Sequence, residues 1–185
     1  MVIWAWLIPV IILALIIIIF IVYYNKFVVK GNRIDNSLAQ IDVQLKRRAD
    51  LIPNLIETVK GYAKHEKGIM SDVTNARKAL LGAKNLPARL KANNQLESAL
   101  KSIFAIAENY PQLRANENFK QLQEELSATE DKIAYSRQYY NDTILDFNNS
   151  IKVFPGKAFA RLYKVKERKF IQITAEERKI VKVKF

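Results

Sequence analysis

Apolar positions follow two different patterns along this chain. From Val2 to Tyr24, VIWAWLIPVIILALIIIIFIVYY, all 23 residues are uncharged, so every side of a helix would be apolar. From Ile34 the apolar residues instead return at Ile34, Leu38, Ile41, Leu45, Ala49, Ile52, Ile56, Val59 and Ala63. Steps of three and four mark one buried face of a helix. The first pattern predicts a helix surrounded by lipid, the second a helix lying on a protein core.

At the helical rise, the uncharged run is about 34 Å long, against a bilayer core of about 30 Å. Trp4 and Trp6 lie near one end and Tyr23 and Tyr24 at the other, where amphipathic rings favour the membrane interface. Pro9 falls in the first turns, where a missing N–H costs least. A cleaved signal peptide would need a basic leader, a shorter apolar core and a small-residue cleavage site, and "YYNKF" offers none. The expectation is therefore an uncleaved single-pass anchor in the cell membrane. Lys26, Lys30 and Arg33 follow the run and no basic side chain precedes it. By the positive-inside rule this places the amino terminus outside and the remainder in the cytoplasm. The same three residues are candidate contacts for anionic lipid.

The stripe from Ile34 passes through Pro53 without losing phase. Pro53 is therefore read as a kink within one long helical element that ends near Leu81-Gly82. "KNLPARL" would connect it to a second helix from about Ala88 to Asn109, with Leu96, Leu100, Ile103 and Ala107 inward and "NYP" closing it. A third begins near Ala115 and carries Phe119, Leu122, Leu126, Thr129, Ile133, Tyr140, Ile144, Phe147 and Ile151 before "FPG". A shorter fourth covers Lys157 to about Val165, and "IVKVKF" alternates from Val181 as a strand or extended arm would. The fold class predicted is all-α: one transmembrane helix, then an antiparallel four-helix, up-and-down bundle of coiled-coil type with a kinked long first helix. Residues 1–25 form the anchor, 26–165 the bundle and 166–185 a basic carboxy-terminal tail.

Charge changes the picture in one respect. Residues 25–84 carry 12 basic and 6 acidic side chains, residues 85–150 carry 7 and 9, and residues 151–185 carry 11 and 3. The two basic segments suit an anionic surface, and with an anchor upstream lipid is the economical partner. In "DVQLKRRAD" the acids are interleaved, so Lys46, Arg47 and Arg48 read as a salt-bridged, solvated face, with Asp42 and Asp50 at helical spacing from Lys46. A strip for nucleic acid would hold fewer acids and more aromatics.

Candidate chemistry is sparse. The single histidine, His65, lacks a second ligand at zinc spacing. There is no cysteine, no glycine-rich phosphate loop and no nucleophile elbow. Glu124, Glu125, Glu130 and Asp131 sit in a polar helix and read as solvated surface. No catalytic residue, metal or cofactor is assigned, and the expectation is a protein that is not an enzyme.

Several stretches carry a resemblance. "YNKFVVKGNRI", "QIDVQLKRRADLIPNLIETVKGYAKHE", "ENYPQLRANENFKQLQEELSATEDKIAYSRQYYNDTILDFNNSI", "FPGKAFA" and the final "KVKF" resemble the LemA family of bacterial membrane proteins, over nearly the whole chain from Tyr24. The resemblance implies a single amino-terminal anchor and a soluble antiparallel bundle of four helices, with no established activity, cofactor or catalytic residue to carry over. Some relatives are associated with formation of magnetosome membranes, which implies work on membrane organisation or on assembly of other membrane proteins. Two departures stand out: Ser37-Leu38 where relatives often show a tryptophan, and "LYKVKER" where a glycine–phenylalanine turn is common.

Two functions follow as expectations. One is a membrane-anchored scaffold that forms homo-oligomers on anionic lipid and recruits other membrane proteins, without nucleic acid. The alternative is a membrane-tethered binder of an anionic ligand or nucleic acid through the basic segments.

Overall fold

A computed structural model describes the backbone of residues 2–171 and the side chains of residues 7–171. Six helices follow one another: α1 (Val2–Tyr62), α2 (Lys67–Gly82), α3 (Leu86–Ala107), α4 (Pro111–Ala115), α5 (Glu117–Lys152) and α6 (Gly156–Leu162). Among the described residues there is no strand, so the fold is all-helical as expected. The alternating "IVKVKF" lies outside the described residues. The chain divides into two compact units, one built from residues up to Leu38 and from Gln138 onward, the other from Ala39–Arg137.

In the first unit, α1 and the end of α5 run antiparallel, since Ser37 meets Thr143 (3.2 Å between hydroxyls) and Lys30 meets Asp146. Phe27, Ile34, Ile144, Phe147, Ile151 and Ala160 form the core between them and α6. Buried hydroxyls satisfy themselves locally: Ser37, Thr143 and Ser150 each donate to the carbonyl three residues earlier, at 2.6–2.7 Å. Ser37 is wholly buried. Gly156 starts α6 so close to α5 that an added Cβ would lie 2.1 Å from the Ser150 carbonyl oxygen. No other residue fits there.

Beyond α6 the chain is extended and held to α5 by two asparagines. Asn148 accepts from the Arg168 N–H (3.0 Å) and donates to its carbonyl (2.9 Å), and Asn141 does the same with Ile171 (2.9 and 3.3 Å). Each amide stands in for a peptide group of a neighbouring strand. The spacing matches: seven residues of helix and three of extended chain both cover about 10 Å.

In the second unit the expected stripe is buried, from Ile41 and Leu45 through Ala49, Ile52, Ile56 and Val59. Leu96, Leu100, Ile103 and Ala107 of α3 and Phe119, Leu126 and Ile133 of α5 are buried in the same unit. Two sequence expectations need correction here. The element expected to run from Ile34 to Gly82 is two helices, broken at residues 63–66. There Glu66 N–H closes onto the Ala63 carbonyl (3.2 Å), and the Glu66 carboxylate accepts from the Tyr110 hydroxyl (3.2 Å). Pro53 is not the break, since α1 stays helical through it. A proline leaves the carbonyl four residues earlier without its helical donor. That carbonyl is Ala49, fully buried, and the Arg77 Nε of α2 donates to it at 2.7 Å. The missing bond inside α1 is thus replaced by one between helices.

The second correction concerns the basic triplet. Lys46 pairs with Asp50 (2.9 Å) and Arg47 is exposed, as a solvated face requires. Arg48, however, is only 1% exposed. Asp42 bonds across to Arg89 of α3 (2.5 Å) rather than to Lys46.

Candidate membrane-interface site

From Leu7 to Val22 the large apolar side chains of α1 are 39–61% exposed, all round the helix. The helix that carries it holds an 18-residue window long and apolar enough, by length and composition, to cross a membrane. Among the described residues, only Phe20 at its far end carries ring contacts from elsewhere in the chain.

Where the run ends, aromatic rings gather on one side of α1. Tyr23 stacks on Phe159 of α6 (centroids 4.4 Å apart, planes 11° apart), Phe20 meets the same ring edge-on at 5.1 Å, and Tyr24 meets Tyr163 edge-on at 5.6 Å. The Tyr163 hydroxyl donates to the Phe20 carbonyl at 2.9 Å. These two rings of α6 therefore rest on the last turns of the uncharged run. Offset and edge-on pairs of this kind add about 0.5–1.5 kcal/mol each beyond area burial. Of the interface aromatics expected from the sequence, Tyr23 and Tyr24 join this cluster. Trp4 and Trp6 lie in α1, with side chains outside the described residues. Phe159 and Tyr163 were missed because nothing in sequence spacing links residue 160 to residue 20.

The three basic residues divide. Lys26 is exposed and lies over the Tyr23 ring, 5.6 Å from its centroid. Lys30 is turned to α5 and salt-bridged to Asp146, so its charge is matched within the chain. Arg33 is exposed, without an ion-pair partner among the described residues. Pro53 belongs to the other unit.

That unit holds a buried polar cluster instead. Arg48 of α1 donates through one terminal nitrogen to Asn93 Oδ1 of α3 (3.1 Å) and through the other to Glu130 Oε2 of α5 (3.3 Å). Glu97 of α3 stands beside Glu130 and accepts from Lys101 (2.5 Å). Burial lowers the Arg48 guanidinium from its ordinary value, opposed by Glu130 and Glu97. Burial, with Glu97 next, holds the Glu130 carboxyl above the usual carboxylate range. The Glu97 bond pushes Lys101 upward. One guanidinium thus ties three helices in a single register, the best-attested use of a buried charge. The sequence signal was present, since Arg48 lies three residues after Leu45 and four before Ile52, on the inner stripe.

Among the described residues no three His, Cys, Asp or Glu side chains gather as a metal set, and His65 lies exposed in the 63–66 turn. Two depressions in the surface of the described residues are open. One lies beside the Asp42–Arg89 pair, and another beside Lys152, Lys157 and Arg161. Neither has the enclosed, largely apolar character of small-molecule sites.

The sequence profile of the LemA family matches residues 37–185. Protein LemA of Metamycoplasma hominis is 29% identical over 133 residues, covering 70% of this chain and 60% of that protein. Magnetosome protein MamQ of Magnetospirillum gryphiswaldense is 25% identical over 165 residues, covering 75% and 61%. Magnetosome protein MamQ 2 of Paramagnetospirillum magneticum is 23% identical over 175 residues, covering 80% and 64%. The chain spans about three-fifths of the length of these relatives.

Proposed function

Because the chain belongs to the LemA family, we propose that it is a membrane-anchored, non-enzymatic helical scaffold that self-associates and organises membrane or assembles membrane-protein complexes. The observation that carries this reading is the contrast within α1, where residues 7–22 are apolar and uncovered while Ile41 to Val59 bury one stripe. In this reading α1 crosses the cell membrane once, with its amino terminus outside and the rest of the chain cytoplasmic. The four long helices that meet in the Ala39–Arg137 unit act there as an antiparallel up-and-down bundle. Two of the relatives are magnetosome proteins by name, which supports a task in membrane organisation.

The buried Arg48 cluster supports a rigid scaffold rather than an active site, since Arg48 faces Asn93 and Glu130 and no cavity. The alternative, an anionic-ligand or nucleic-acid binder, is weakened by acids that occupy much of the basic surface: Lys30, Lys46, Arg89 and Lys152 all pair within the chain. Light scattering on the full chain in mild detergent tests self-association. The scaffold reading expects a particle of several protomers whose mass persists on dilution, and a clean monomer across the concentration range would overturn it.

A further inference from the structure

The α5–α6 turn exposes apolar side chains that the anchor reading leaves unused. Val153 is 57% exposed, Phe154 87% and Leu162 58%. Val153 and Phe154 precede α6 and Leu162 is its last residue, while the rings of Phe159 in the helix and Tyr163 just after it rest on the apolar run. Phe159 and Tyr163 reach Phe20, one turn inside Tyr24 and about 6 Å along the axis. Gly156, which begins α6, lies against Tyr23, with its missing Cβ 3.8 Å from that ring. The turn and α6 therefore sit at the level where the uncharged run ends, and the run is slightly longer than a bilayer core. On the same short helix and just after it, Lys157, Arg161 and Lys164 are exposed, without ion-pair partners among the described residues. Apolar side chains ringed by unpaired cations at the depth of an aromatic belt match the chemistry of an anionic lipid interface.

We infer that Val153, Phe154 and Leu162 form a second, monotopic membrane contact beside the anchor, inserted among the headgroups while Lys157, Arg161 and Lys164 meet lipid phosphates. This rests on the reading of α1 as a membrane anchor and extends it, for the lipid contact then includes a collar formed by residues about 130 positions later in sequence. The occupant is lipid rather than a second copy, because the patch continues the uncovered surface of residues 7–22. Insertion of a short apolar edge about 5–10 Å deep is the usual geometry of interfacial elements. One consequence is that the tilt of α1 is limited from one side, because the α6 segment is fastened to it by the three ring contacts named above and the Tyr163 bond.

The chain contains no cysteine, so single-cysteine variants of the full chain can carry an environment-sensitive nitrobenzoxadiazole label in vesicles of phosphatidylcholine and phosphatidylglycerol. Phe154→Cys and Leu162→Cys test the collar, the second guarding against misfolding of the first. Ile16→Cys, near the middle of the run, reports the anchor and is read with lipid spin-labelled deep in its acyl chain instead of at the headgroup. Asp142→Cys is the control: it adjoins Thr143, whose partner Ser37 lies about 20 Å beyond Tyr24 along α1. With headgroup-level spin-labelled lipid, the labels at 154 and 162 are expected to lose roughly half of their emission and the label at 142 almost none. Quenching at 16 but not at 154 or 162 would overturn the collar and leave the anchor standing. Absence of quenching at 16 would overturn both. Equal quenching at 142, or self-quenching between labelled copies without lipid quenching, would also overturn it, the latter in favour of a protein contact.

Discussion

Residues 7–22 and residues 41–59 belong to the same helix, yet they ask for different surroundings. The first stretch is apolar on every side, and the described residues leave most of it exposed. The second is apolar along one stripe, and that stripe is buried against α2, α3 and α5. Helix propensity hardly distinguishes the two. What distinguishes them is where the side chains find partners: across helices for the second stretch, and almost nowhere among the described residues for the first. The Ala49 carbonyl, deprived of its donor by Pro53, can be rescued by Arg77 only because another helix lies alongside.

The comparison is broken most forcefully at the buried stripe. Ile41→Ala should lower unfolding stability by about 2–5 kcal/mol, because a fully buried side chain leaves a cavity. Ile16→Ala, on the uncovered stretch, should leave thermal unfolding of the full chain in mild detergent almost unchanged. The converse test uses a charge. Ile16→Lys places an ammonium near the middle of the run at about 2.5–3.5 kcal/mol, and the chain's retention in alkali-washed membranes should fall. A sharper test is the bond that replaces the one lost to Pro53. Arg77→Leu leaves a buried carbonyl unsatisfied and should cost about 1–3 kcal/mol. In a Pro53→Ala background the helix supplies its own donor at position 53, so the same Arg77→Leu change should cost less. A double-mutant cycle by urea unfolding reads that difference directly.

The smallest effect concerns pH. The folded state holds the Glu130 proton more tightly than the unfolded chain, because burial and Glu97 disfavour its charge. Its contribution is therefore fully present below the ordinary carboxylate range and is lost as pH rises through the elevated folded value. The stability of the natural chain relative to Glu130→Gln should decline with rising pH across that window, measured by urea unfolding at a series of pH values.

Much of this fold was legible in periodicity. The apolar stripes of α1, α3 and α5 are the buried faces, nearly residue for residue, because burial and the 3.6-residue turn impose the same spacing. What escaped was contact between distant residues. A stripe that stays in phase through Pro53 and on to Ala63 cannot reveal that the chain turns at 63–66, although Gly61 and Gly68 bracket that turn. Arg48 was assigned to the solvent because neighbouring charges suggested it, while its position on the inner stripe said otherwise. The asparagine pairs that hold residues 168 and 171 on α5 look like ordinary surface polar residues in sequence. In the aromatic cluster Tyr23 and Tyr24 stand out in sequence by their place at the end of the run, whereas Phe159 and Tyr163 come from a segment too short to show a period.

The contrast within α1 is tested most directly by cysteine accessibility along it, one position at a time, with the full chain in sealed vesicles and an impermeant maleimide. Between residues 41 and 60 labelling should follow the helical period, with Val43, Lys46 and Asp50 reactive and Ile41, Leu45 and Ile52 protected. Between residues 7 and 22 every position should be protected, with no period at all. A helical period of labelling within residues 7–22 would contradict the account, since it would mean that this stretch has one face in water and one on protein.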